Sequence, residues 1–159
     1  MNEVDAGVAV TSADEPLLAE LGWPGIKRYV LPDFAISSVF TILAADGYEQ
    51  AVLLAADAPD LPGLVIAKLL RPLSTRPVAA APDLSAPVGL LGLAATLPAP
   101  SWLPPTGLDE LTPQSLRRLS PQVTDVAPAA GWHRLGTSAD LARLDPRLEG
   151  WDSTRSLLR

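Results

Sequence analysis

Two aspartates, Asp57 and Asp60, follow directly on an apolar run in the stretch AVLLAADAPDLPG, residues 51–63. A short apolar run bounded by prolines and glycine is typical of a buried strand. In open α/β sheets, ligands bind beyond the carboxyl ends of the strands. Carboxylate oxygens at that edge suit Mg²⁺, which takes one or two carboxylates together with water and substrate phosphates. The pattern therefore indicates a magnesium site with Asp57 and Asp60 as ligands.

A purely structural role explains the same two aspartates. Asp60 lies just before a predicted helix, where a carboxylate could accept hydrogen bonds from the N–H groups of the first turn. Asp57 could end its strand by accepting backbone hydrogen bonds in the turn. The spacing alone leaves both interpretations open.

The elements that must position these residues alternate between short apolar runs and segments of helical periodicity, which is typical of an α/β fold. We predict a single domain, residues 1–159, that forms three α/β/α layers around a mostly parallel central sheet, with residues 51–56 as a central strand. The predicted strands cover residues 7–11, 28–31, 51–56, 78–81, 88–93 and, as a short strand, 123–126. The predicted helices cover residues 15–21, 37–45, 62–73, 113–119 and 141–144. The stretch PAPSWLPPTG, residues 98–107, is too rich in proline for either element and is predicted to be a loop.

Composition excludes several classes of function. The chain has 159 residues, a net charge of −6 and no cluster of basic residues, so a nucleic-acid partner is not expected. It has no cysteine and one histidine, which excludes disulfides, thiolate metal sites and histidine clusters. The first twenty residues do not resemble a signal peptide, and no apolar segment approaches the ~20 residues that a membrane-spanning helix needs. We therefore predict a cytoplasmic location without a membrane partner.

Other polar and aromatic residues are weaker candidates for a site. Thr11 and Ser12 follow the first predicted strand at the same edge as Asp57, where they could contact a nucleotide or cap the next helix. Lys27 and Arg28 could bind a phosphate, although exposed charged side chains are commonly only solvated. His133 could serve as an acid or base but has no carboxylate partner nearby in sequence. Trp151, close to the C-terminus, is expected to dock on the body of the domain.

A family resemblance begins at the same turn. The order of an apolar strand and then Asp57-Ala58-Pro59-Asp60-Leu61-Pro62 resembles the D-x-P-x-L-P motif of nucleotidyltransferases with the glycosyltransferase A fold, in particular the molybdenum-cofactor guanylyltransferase group. Three later segments keep the family order: PVGLLG at residues 87–92, SLRRL at 115–119 and TSADL at 137–141. The resemblance covers roughly residues 8–144. It implies that Asp57 holds a Mg²⁺ that bridges nucleotide phosphates and that Gly89 lies beside the acceptor.

The chain departs from the family pattern in two places. Family members begin with a strand and a G-G-x-S-x-R-M-G loop that holds the triphosphate through backbone N–H groups and basic side chains, and this sequence contains no such loop. The family also places an Asn or Asp directly before the last element as a second metal ligand. Gly136 stands at that position here, and Arg134 stands two residues earlier, where another Asn or Asp is often found.

Two functions follow from these observations. The first is a magnesium-dependent nucleotidyltransferase-like or glycosyltransferase-like protein that acts on a nucleoside triphosphate or nucleotide sugar. The second is a non-catalytic or remodelled relative that serves as a ligand- or protein-binding module. A homo-oligomer, or a partner chain that supplies the phosphate loop, is compatible with both.

Overall fold

Among the residues that the computed structural model describes, 4–22 and 24–158, six strands form two sheets. The strands are β1 (Gly7–Thr11), β2 (Lys27–Leu31), β3 (Gln50–Leu54), β4 (Val78–Pro82), β5 (Leu90–Thr96) and β6 (Val126–Pro128). Strands β1 and β2 pair in parallel as a separate two-stranded sheet. The other four form a sheet in the order β3-β5-β4-β6.

The helices are α1 (Glu15–Leu21), α2 (Ile36–Ala45), α3 (Gly63–Leu70), α4 (Pro113–Leu119) and α5 (Asp152–Leu157). The predicted helix at residues 62–73 is shorter as an α-helix and continues as a 3₁₀ turn, Arg71–Ser74. Pro72 explains the change because it has no N–H to donate to the preceding turn. No helix in the described part of the chain is long and apolar enough to cross a membrane.

The strand predicted at residues 123–126 is wrong in its position. Residues Val123–Asp125 form a 3₁₀ turn, and the strand begins only at Val126. The Asp125 carboxylate accepts a hydrogen bond from the Gln122 N–H at 3.2 Å, which closes the turn. This local hydrogen bond favours a turn over extended structure at residues 123–125. The chain becomes extended only from Val126, where β6 pairs with β4.

Apolar clusters cover both faces of the four-stranded sheet. On one face, Ile36 and Phe40 of α2 and Leu116 of α4 pack against Val78 and Leu93. On the other face, residues of α3 pack against the alternate residues of β4 and β5; this second cluster includes Val65, Leu69, Ala79, Ala81 and Leu91. The predicted arrangement of helices on both sides of a central sheet is confirmed.

Three of the four strands in this sheet share one direction, because β3 and β4 are both antiparallel to β5 and β6 is parallel to β4. The α/β class is thus confirmed, with one reversed strand. The prediction that residues 51–56 form a central strand is wrong, since β3 lies at an edge of its sheet. The short loop between β4 and β5, closed by a hydrogen bond from Asp83 N to Gly89 O at 3.1 Å, folds β5 back as a hairpin. Strand β5 thereby takes the place beside β3.

The C-terminal segment docks on the domain, as predicted. Trp151 is only 5% exposed. The Arg155 guanidinium lies 4.6 Å from the centre of the Trp151 ring and donates a hydrogen bond to the Leu148 carbonyl at 2.7 Å. A cation over the aromatic face and a buried ring together hold the segment in place.

Candidate functional site

Asp57 lies just beyond the carboxyl end of β3 and is paired with an arginine. Both of its carboxylate oxygens accept hydrogen bonds from Arg134, Oδ1 from Nε at 2.7 Å and Oδ2 from Nη2 at 2.9 Å. The backbone holds the two segments in register, because Leu135 N donates to the Asp57 carbonyl at 2.9 Å. A bidentate pair of this geometry is among the strongest interactions that an arginine can make.

Arg134 is also held by two further oxygen atoms. Its Nη1 donates to the Leu90 carbonyl at 3.2 Å and to the Asp109 carboxylate at 2.5 Å. Asp57 first, and then Asp109, raise the pKa of Arg134 above its ordinary value, so the side chain is a permanent cation. One positive charge therefore lies at the edge of the sheet among oxygen atoms from three different segments of the chain.

The loop after β4 fixes the backbone of Arg134. The Arg134 N–H donates to Ser85 Oγ at 2.9 Å, and Ser85 Oγ in turn donates to the Asp83 carboxylate at 2.5 Å. Asp83 also accepts from the Ser85 N–H at 2.8 Å. The backbone N–H of Arg134 and all three nitrogens of its guanidinium donate to protein oxygen atoms, so Arg134 is held in one position.

Asp60 is a buried acceptor for the segment that carries Arg134. Its side chain has no exposed surface. Trp132 Nε1 donates to one oxygen at 3.0 Å, whereas His133 Nε2, at 3.0 Å, and the Asp145 N–H, at 3.1 Å, contact the other. Pro62 occupies the N-cap of α3, where no side chain caps the helix, so the interpretation of Asp60 as the cap of this helix is wrong. The carboxylate instead connects the turn before α3 to residues 132–145.

The two predicted metal ligands thus have separate sets of protein partners. Every oxygen of Asp57 and Asp60 already accepts a hydrogen bond, and those of Asp60 are closed to solvent. Within the described ranges, no three His, Asp or Glu side chains form a group that could hold a metal ion. As arranged, Asp57 and Asp60 do not fit a hydrated Mg²⁺, which needs accessible oxygen ligands. A magnesium ion on these residues stays a prediction, and it requires Asp57 to exchange its partner.

The remaining predicted site residues lie in different places. Thr11 ends β1, and its hydroxyl donates to Asp14 at 2.9 Å, while Ser12 is exposed in the following turn. Thr11 therefore belongs to the two-stranded sheet, and Ser12 follows its first strand. Gly89 does lie beside the arginine, since a Cβ built there would be 4.0 Å from Arg134 Nη1. Nucleotide or acceptor binding by these three residues stays a prediction.

Two of the weaker candidates, His133 and Lys27, acquire partners that the sequence did not indicate. His133, which has no carboxylate nearby in sequence, contacts Asp60, 73 residues away. Lys27 forms an ion pair with Asp46 at 2.8 Å, although the lysine side chain is half exposed. This pair raises the pKa of Lys27 and lowers that of Asp46, chiefly through the hydrogen bond between them. A solvated role for Lys27 is compatible with this exposure, and phosphate binding stays a prediction.

Sequence reasoning missed the role of Asp109. It lies in the short turn Leu108–Glu110 after the proline-rich loop, where no periodicity or motif singles it out. For Arg134 a signal was present, because an arginine stands where the family that the sequence resembles often has an Asn or Asp. Pairing this arginine with Asp57, 77 residues away, would have required knowledge of the fold.

The sheet with helices on both faces and a carboxylate beyond its edge strand defines an α/β fold of the glycosyltransferase A type. A solved structure that resembles the chain is a "putative nucleotide-diphospho-sugar transferase" from Desulfovibrio desulfuricans G20, with a TM-score of 0.60 and 17% sequence identity over 95% of this chain and 74% of that one. No protein-family profile and no curated protein matches the sequence. At this identity the likeness establishes the fold, and the expected glycosyltransferase A-like architecture is confirmed.

Proposed function

We propose that the chain is a remodelled form of the nucleotide-diphospho-sugar transferase fold that serves as a binding module and does not carry out magnesium-dependent transfer. One observation carries this proposal: the Arg134 guanidinium occupies the place at Asp57 where a cation would otherwise bind. A fixed internal cation neutralises the carboxylate. Asp57 therefore has little charge left with which to attract Mg²⁺.

Arg134 is also a poor substitute for a phosphate-binding arginine. A guanidinium has five N–H donors, and Arg134 uses four hydrogen bonds on Asp57, Asp109 and the Leu90 carbonyl. The two carboxylates around it would repel a triphosphate. We therefore expect only weak binding of a nucleoside triphosphate in the presence of Mg²⁺, and a submicromolar complex in titration calorimetry would contradict the proposal.

A second candidate is the magnesium-dependent nucleotidyltransferase-like or glycosyltransferase-like activity. The observation in its favour is that two partly exposed carboxylates, Asp57 at 38% and Asp109 at 79%, lie around one cation position together with the Leu90 carbonyl. Four oxygen atoms from these three residues would face a divalent ion if the guanidinium moved away. The two candidates therefore differ in what occupies this position in solution.

Binding of Mn²⁺, followed by calorimetry or electron paramagnetic resonance, separates the two candidates. We expect no specific binding to the wild type or to Asp57→Asn, because the arginine already compensates the carboxylate. Arg134→Ala should acquire a site, since it leaves Asp57, Asp109 and the Leu90 carbonyl without their cation. The double variant Arg134→Ala with Asp109→Asn should lose that site again.

The control is Arg147→Ala, which removes an arginine that is 88% exposed and paired only with Asp145. It should leave Mn²⁺ binding unchanged. If the wild type binds Mn²⁺ and Asp57→Asn abolishes that binding, the magnesium-dependent transferase is the correct assignment and the binding-module proposal is wrong.

A further inference from the structure

The edge of β3 that faces away from β5 has free backbone groups. The Glu49 carbonyl accepts from Leu97 N at 2.8 Å, and Ala55 N donates to the Leu91 carbonyl at 2.9 Å. In an antiparallel pair, alternate residues direct their backbone groups to the same neighbour. Residues 50, 52 and 54 therefore direct their N–H and C=O groups to the opposite side, where no described strand pairs with them.

This edge is apolar on both faces of the sheet. Ala51 and Leu53 pack against the cluster that contains α2, whereas Val52 and Leu54 pack against the cluster that contains α3. All four side chains are only half-buried, although the residues of β4 from Val78 to Ala81 are completely buried. The difference is that β4 has a strand on each side and β3 has one.

Strand β3 also lacks the features that protect natural sheet edges from pairing. Edge strands usually carry a lysine, a proline, a bulge or an inward-pointing charge. From Ala51 to Leu54 the strand has only apolar residues, and its pairing with β5 is regular. An edge of this kind is suited to accept another strand.

Two contacts tie the two-stranded sheet to the turn that precedes β3. The Tyr48 hydroxyl, two residues before β3, donates to Asp5, two residues before β1, at 2.8 Å. The ion pair between Lys27 and Asp46 ties the start of β2 to the same turn. Helix α2 connects β2 to β3, and helical crossovers of this kind join strands of the same direction. Such crossovers normally connect strands of one sheet, yet here β2 and β3 belong to two sheets.

We propose that an extended apolar segment of a separate polypeptide adds as a β-strand to the free edge of β3, on the side of β1. This inference rests on the proposed function of a binding module and names its partner. Because apolar clusters cover both faces at β3, the added strand must be apolar at consecutive positions, like a strand inside a parallel sheet. The added strand should have the length of β3, which is five residues.

The structure favours a single strand over a second copy of the whole chain. An edge-to-edge dimer through β3 would bring a complete sheet and its covering helices against β1 and β2. The contacts of Asp5 with Tyr48 and of Lys27 with Asp46 hold those strands close to the start of β3. A lone extended segment needs only the spacing of one strand, about 4.8 Å.

A synthetic peptide tests the proposal. The probe has five consecutive valine and leucine residues, which is the length of β3. Lysines on both sides keep it soluble. We expect saturable binding in fluorescence anisotropy and slower hydrogen exchange at the amides of Gln50, Val52 and Leu54. Val52→Pro removes one of these outward N–H groups and should weaken binding at least about tenfold, as expected when a buried hydrogen-bond partner is left unpaired. Val52→Ala keeps the N–H and is the matched control, with binding close to that of the wild type.

A second peptide, methylated at every backbone nitrogen of its five apolar residues, keeps the apolar side chains but has no N–H donor along either edge. It should not bind the wild type, and this comparison decides the question if Val52→Pro fails to fold. Equal binding of both peptides, absence of saturable binding, or protection at other amides would overturn the proposal. Self-association of the chain that protects the same three amides would overturn it in favour of a second copy. Mn²⁺ binding is measured without peptide, so a failure of the proposed function would be seen separately.

Discussion

The carboxylate of Asp57 and the guanidinium of Arg134 form a bidentate pair across 77 residues of sequence. In the family that the motif resembles, the aspartate at this position is the residue expected to hold a metal ion. Here the positive charge is a side chain of the protein itself. This pair couples the neutralisation of Asp57 to folding, because the guanidinium cannot be removed without leaving unpaired acceptors around it.

The first prediction is that Arg134→Ala destabilises the fold. The arginine side chain is only 14% exposed, and its loss leaves Asp57 and the Leu90 carbonyl without their donors. We expect a loss of about 2–3 kcal/mol in the free energy of unfolding, measured by urea denaturation. Arg147→Ala, at an exposed ion pair, should have a much smaller effect because solvent screens such a pair. Equal effects of the two substitutions would show that the Arg134 contacts do not stabilise the protein.

The second prediction concerns the buried carboxylate of Asp60. Asp60→Ala removes the acceptor for Trp132 Nε1, His133 and the Asp145 N–H, and should cost about 3–5 kcal/mol of stability. Asp60→Asn should be milder because its amide oxygen still accepts one of these bonds. Asp152→Ala, at a carboxylate that is 82% exposed, is the control. Urea denaturation in which Asp60→Ala matches this control would contradict the role of Asp60 as a structural acceptor.

Local patterns in the sequence were sufficient to predict most elements of the fold. The strand at Gly7–Thr11 and the helices at Glu15–Leu21 and Pro113–Leu119 are found at the predicted positions. Apolar periodicity and proline positions depend on neighbouring residues, so a sequence shows them directly. The place of β3 at a sheet edge could not be predicted in this way, because strand order depends on how the β4–β5 hairpin folds back between distant segments.

The site was less predictable for the same reason. The motif around Asp57 predicted that this aspartate lies beyond the carboxyl end of its strand, where it is found. The donors to the motif's carboxylates come from residues 132–145, and Asp109 accepts from the same arginine as Asp57. The long connections after β5 bring these residues together. No spacing rule links residues that far apart. A carboxylate that the sequence offers as a metal ligand can therefore be neutralised by an arginine that only the fold brings to it.

The third prediction is a pH dependence at the junction between the two sheets. The hydrogen bond to Asp5, followed by desolvation, raises the pKa of Tyr48 to about 12. Because this folded-state pKa exceeds the unfolded value of about 10, the contact contributes its full stability below pH ~10 and loses it as the pH rises through about 12. Asp5→Ala should return the pKa of Tyr48 toward 10 in an ultraviolet titration of tyrosinate.

The variant Tyr29→Phe simplifies that titration, since the chain has two tyrosines and Tyr48 is then the one phenol that can form tyrosinate. Asp14→Ala removes a carboxylate at the other end of β1 and serves as the control, with no effect on the titration. An unchanged Tyr48 pKa in Asp5→Ala would show that the hydrogen bond between the sheets does not form in solution.

The last prediction separates two reasons for a glycine beside Arg134. Gly89 has a φ of +132°, a conformation that other residues rarely adopt, and its backbone groups bond to Asp83 and Leu111. Gly89→Ala should therefore destabilise the protein by about 1–3 kcal/mol even though a Cβ would have ordinary contacts, the nearest at 3.6 Å. Gly63→Ala, at the first residue of α3 with open space around a Cβ, should be neutral or stabilise by up to about 1 kcal/mol. If urea denaturation shows Gly89→Ala to be as stable as Gly63→Ala, the backbone does not require glycine there, and closeness to a ligand becomes the better explanation.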